Sequence, residues 1–113
     1  MTFFDIDLLR ERVSGGAEFL DEVDPGWAAS IDPSTLDLTG CDECILGQRF
    51  GGFREGMDKL GLTLSVTRVL GLNYDPRPAG WQGPLPGSRE AERDEADQLR
   101  TFWLEEIRER TEV

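Results

Sequence analysis

The sequence contains no histidine, a single lysine and only two cysteines. Without histidine the commonest general base and metal ligand is missing, so no Ser-His-Asp or Cys-His catalytic arrangement can be built. Two cysteines do not make a disulfide scaffold. No apolar run approaches the roughly 20 residues that span a bilayer. Met1 to Leu9 carries two aspartates where a secretory signal needs a basic start and an apolar core. These absences predict a cytoplasmic chain with no membrane segment. The phosphate-cradling pattern G-x-x-x-x-G-K-[ST] is also missing. The run Gly47 to Gly52 imitates a glycine loop only superficially, because it sits in an apolar helical pattern and offers no lysine. Carboxylates are so numerous that no pair stands out as catalytic. The sequence therefore leans away from an enzyme and implies no cofactor.

What is present is acid. The 113 residues carry 23 Asp and Glu against 12 Lys and Arg, a formal charge of −11. Direct nucleic-acid binding is disfavoured, because a polyanion repels such a chain. A basic protein surface would suit it, and a patch imitating nucleic acid is a sharper version of that reading. Charge is unevenly placed: residues 1–43 hold 11 acidic side chains against Arg10 and Arg12. Residues 44–87 reverse the sign, with Glu55, Asp58 and Asp75 against Arg49, Arg54, Lys59, Arg68 and Arg77. The alternative to a docking patch is a solvated acidic face that only keeps the chain soluble.

The apolar spacing predicts an all-α fold: one helical domain over 1–113, a small bundle of about four to five helices with one long Pro/Gly-rich loop. Ile6, Leu9, Val13, Ala17 and Leu20 form a stripe over about 5–22, which Gly15-Gly16 could kink. Asp24-Pro25 and Asp32-Pro33 each place a capping residue before a proline, predicting short helical turns at about 25–30 and 33–36. Thr39 is a candidate cap for a helix over about 40–60. Gly51-Gly52 either breaks that helix, or its glycines at i, i+4 (Gly47/Gly51, Gly52/Gly56) let another backbone approach. Ser65 is the expected cap of a helix holding Val66, Val69 and Leu70. Four prolines and three glycines make about 73–87 the long loop. Ser88 caps a C-terminal helix over about 89–110 with Asp97–Arg100 and Glu106–Arg110 ion pairs. The expected core is Leu20, Trp27, Ile45, Leu46, Phe50, Phe53, Leu60, Val69, Leu99, Trp103 and Ile107.

Cys41-Asp-Glu-Cys44 is the one local feature with chemical potential. Two thiols three apart at a helix start share a face and can form a disulfide, and a helix N-terminus favours thiolate. Asp42 and Glu43 oppose that by repulsion. A metal site needs four ligands and this chain supplies two such residues, so metal would require nearby carboxylates or a second chain. The plain alternative is that Cys41 and Cys44 are two small packing residues beside Ile45.

The segment from Ile31 to Phe50 contains Leu36-Asp37-Leu38 followed by Cys41-x-x-Cys44-x-Leu46-Gly47-Gln48, with Pro25-Gly26-Trp27 upstream. In this it resembles short uncharacterised proteins of actinobacteria and their bacteriophages, over roughly residues 13–62. The bias to arginine over lysine agrees with such an origin. The resemblance implies that the two cysteines matter together and implies no activity. Taken together, the expected function is that of a small acidic accessory or regulatory protein, compatible with a phage-encoded origin, that binds another protein. The candidate contact residues are Asp21, Glu22, Asp24, Trp81, Leu85 and Trp103. A thiol-disulfide protein using Cys41 and Cys44, and a dimer clamped by metal at those residues, are the alternatives.

Overall fold

The computed structural model describes residues 6–40, 42–72 and 89–112, the backbone alone for 89–93. It shows a small all-α domain with no strand among the described residues. The helices are α1 (Ile6–Val23), α2 (Ile45–Phe50), α3 (Phe53–Leu60), α4 (Leu64–Val69) and α5 (Arg89–Thr111), with a 3₁₀ turn at Trp27–Ser30 between α1 and α2. Cys41, the 73–87 loop with Trp81 and Leu85, and the Ser88 cap lie outside the described residues.

α1 buries Leu9, Val13, Gly16, Ala17 and Leu20, the stripe its spacing predicts, and it lies along α5. It runs unbroken through Gly15-Gly16. Gly16 serves a close approach: a Cβ there would collide with the Leu70 carbonyl and press on the Trp103 ring. The Trp103 indole meets Trp27 edge-on, with centroids 5.7 Å apart and planes at 89°. Such pairs contribute about 0.5–1.5 kcal/mol beyond area burial. The Trp103 Nε1–H donates to the Gly71 carbonyl at 2.7 Å, so this buried polar group is satisfied. Leu99, Phe102 and Ile107 complete the buried face of α5.

The expected 40–60 helix is two helices. Gly51 ends α2 at φ 90°, a left-handed conformation that costs glycine little. The break is thus the reading the structure supports, while Gly56 of α3 packs against side chains of α2, where a Cβ would lie 2.8 Å from the Leu46 Cβ. The start is later than expected: Cys44, not Thr39, caps α2, its Sγ accepting from the Gly47 N–H at 3.3 Å. Thr39 instead closes a turn on Asp37, whose Oδ1 accepts from its N–H and hydroxyl. The expected helix at 33–36 is only a turn, held in the same way by Asp32 and Ser34.

α4 departs most from expectation. Thr63, not Ser65, caps it, accepting from the Val66 N–H at 3.3 Å. With that frame Thr67 turns inward at 0% exposure and Val69 outward at 62%. Val69 therefore leaves the expected core. Phe50, Phe53 and Leu60 are half-buried against it, while Ile31, Leu36, Leu38 and Leu72 join it.

Candidate functional site

Three sets of residues carry functional expectations: the cysteine segment, the acidic first third, and the candidates Trp81, Leu85 and Trp103. In the cysteine segment nearly every motif residue has a structural task. Leu36 and Leu38 are buried, as are Ile45 and Leu46. Gln48 gathers the loop that precedes α2. Its Oε1 accepts from the Asp32 N–H, and its Nε2 donates to the carbonyls of Asp32 and Glu43 at 3.2 and 3.0 Å. Arg100 of α5 closes the same loop from the other side, donating to the carbonyls of Leu36 and Pro33 at 2.7 and 2.9 Å. Asp97 is thus not the partner that holds Arg100, because the loop carbonyls occupy that guanidinium. Cys44 is 1% exposed and caps α2, a placement that fits packing. A thiol this enclosed is shielded from solvent-borne reagents. Among the described residues no three His, Cys, Asp or Glu side chains come together as a metal site.

The acidic third divides into two groups. Asp21 accepts from the Trp27 Nε1–H at 3.0 Å and from two nitrogens of Arg110 at 2.9 and 2.7 Å. Arg110 also binds Glu106 at 2.6 Å and lies 5.6 Å over the Trp27 ring. Asp24 receives a two-pronged pair from Arg49 at 2.6 and 2.9 Å, the planar match that guanidinium and carboxylate favour. Hydrogen bonding from Arg110 lowers the Asp21 carboxyl pKa below its ordinary value, against some desolvation. The bond from Arg49 does the same for Asp24. Asp37 is lowered by its Thr39 hydroxyl contact. These aspartates hold the fold together.

Asp7, Glu11, Glu18 and Glu22 behave differently. Steps of four, seven and four put them on one stripe of α1, opposite its buried face. All four are exposed. No ion pair or hydrogen bond engages them among the described residues. Asp7, Glu11 and Glu18, with Arg10, Ser14 and Gly15, line a shallow depression of about 560 Å³. Arg10 also reaches Glu105 at 3.5 Å and the Phe102 ring at 4.2 Å.

Of the expected contact residues, Glu22 is exposed in this stripe, whereas Asp21 and Asp24 face arginines of the same chain. Trp103 is 0% exposed and belongs to the core. It cannot meet a partner in this fold, because α1, Trp27 and Gly71 enclose it. The sequence places Asp7, Glu11 and Glu18 in the acidic first third but does not single them out as contact residues. Their signal was available, as the polar complement of the Leu9–Leu20 stripe. No family model, curated protein or solved structure matches the chain. Among the described residues no helix is long and apolar enough to cross a membrane.

Proposed function

We propose that the protein is a small acidic accessory protein that acts by binding a basic surface of another protein through the outer face of α1. The observation that carries this reading is that Glu11, Glu18 and Glu22, with Asp7, stand exposed on one face and enter no ion pair among the described residues. The fold pairs arginines with Asp21 and Asp24 and, among the described residues, with none of this stripe, within a chain of charge −11. Complementary charge of this kind speeds encounter and weakens as salt rises. Affinity capture from an actinobacterial lysate at low salt tests it, using wild type beside a Glu11→Gln/Glu18→Gln/Glu22→Gln variant. The expected result is a protein retained by wild type, released by salt and lost with the variant. Nothing above control, or equal retention by both, contradicts the proposal.

A further inference from the structure

α3 is attached differently from the helices on either side of it. α2 is tied down by polar side chains, Gln48 to Asp32 and Glu43, and Arg49 to Asp24 and Ser30. α4 is seated by backbone, where the Leu70 carbonyl lies against Gly16 of α1. Among the described residues no α3 side chain makes a hydrogen bond or ion pair to another element. Lys59 acts on Asp24 only through space. What holds α3 is apolar packing. Gly56 lies against Leu46 and Phe50 of α2, and Phe53, Met57 and Leu60 are half-buried at the edge of the core. Gly56 is the one buried residue of the helix, and its main neighbour is α2 rather than the α1–α5 pair.

Both ends of α3 are glycine joints. Gly51 stands at φ 90° and Gly61 at φ 69°, a region that glycine enters and leaves at little cost. Hinges are a few terminal residues of this kind, which absorb the backbone change when an element moves. The anchors of α2 and α4 lie outside these joints, so neither has to give way. Elements with few buried contacts open at a smaller free energy than the whole fold. With only eight residues, α3 is too short to stay helical alone in water, so opening also unwinds it. We infer that α3 is a flap that undocks as one unit between Gly51 and Gly61 while α1, α2 and α5 stay folded. Opening uncovers Leu46 and Phe50, which share the side of α2 that Gly56 covers in the closed form.

Native-state hydrogen exchange on the untagged full chain tests this, read amide by amide by NMR in rising urea below the unfolding transition. The amides of Met57 to Leu60 should share one protection, at least about tenfold below that of the slowest amides of α1 and α5. Their exchange should respond weakly to urea, because opening the flap exposes little surface. Leu20→Ala separates the two kinds of opening. It weakens a core that stays intact when the flap opens, so it should speed exchange in α1 and α5 and leave α3 unchanged. Met57→Ala removes part of the docking surface and should speed α3 exchange by roughly tenfold. Three results would each overturn the inference: α3 exchanging with the rates and urea dependence of α1 and α5, α3 accelerated by Leu20→Ala as much as α1, or α3 unaffected by Met57→Ala.

Discussion

α1 and α4 are both helices with apolar residues at helical spacing, yet they use them in opposite directions. α1 turns Leu9, Val13, Ala17 and Leu20 to the core and its carboxylates to solvent. α4 turns a threonine inward and leaves Leu64, Val66 and Val69 outside. α1, with 18 residues, has enough periods for burial to choose its rotation. α4, with six, does not. Its rotation follows from the Thr63 cap and from the backbone contact at Gly16. In a short helix the ends outweigh the face.

The largest effect should come from breaking the inward-facing side. Leu20→Ala removes a buried side chain of α1 and should destabilise by about 2–5 kcal/mol, read as a fall in the midpoint of chemical denaturation. Gly16→Ala should cost about 1–3 kcal/mol through overpacking against Leu70 and Trp103, and more if α4 cannot shift. Thr63→Ala sharpens the comparison at the other helix. Loss of that cap should cost about 1 kcal/mol, whereas Ser65→Ala should leave the midpoint nearly unchanged. Smallest is Val69→Ser, expected within about 0.5 kcal/mol of wild type because the side chain is already in water.

The two classes of carboxylate on α1 and its C-terminal extension predict a pH dependence. Asp21 and Asp24 have folded pKa values lowered by Arg110 and Arg49. Their contribution is therefore complete above the unfolded value near about 4 and is lost as pH falls through the folded values. Asp21→Asn and Asp24→Asn should each destabilise the protein at neutral pH by about 1 kcal/mol or less, since both pairs are partly solvated. The gap to wild type should close as the pH is lowered below 4. A gap that persists undiminished in acid would show that something other than the charge pair is responsible.

Much of this fold is legible in the sequence, and the places where reading failed have a common cause. The α1 stripe, the break at Gly51, the Trp27 and Trp103 core residues and the helical C-terminus all follow from local spacing. So does the Glu106–Arg110 pair, one turn apart. The start of α4 was ambiguous because Thr63 and Ser65 both offer a capping hydroxyl, and the choice between them moved Val69 from core to surface. Local spacing pairs Arg100 with Asp97, but in the fold it reaches loop carbonyls more than sixty residues away. Asp21 and Asp24 looked available for a partner because nothing local reveals that Arg110 and Arg49 will meet them. Long, flexible cations choose partners in three dimensions, so spacing along the chain cannot assign them. The cysteine segment shows the same limit: Gln48 closes its loop by reaching back sixteen residues to Asp32.

The most direct test of the division between structural and uncommitted carboxylates is thermal unfolding, at neutral pH and low salt, of Glu11→Gln/Glu18→Gln/Glu22→Gln beside Asp21→Asn/Asp24→Asn. The first variant should melt at or slightly above wild type, because it removes like charges that enter no ion pair among the described residues. The second should melt below it. A clear loss of stability in the glutamate variant would mean that those side chains hold the fold after all, and the stripe could not be the surface reserved for a partner.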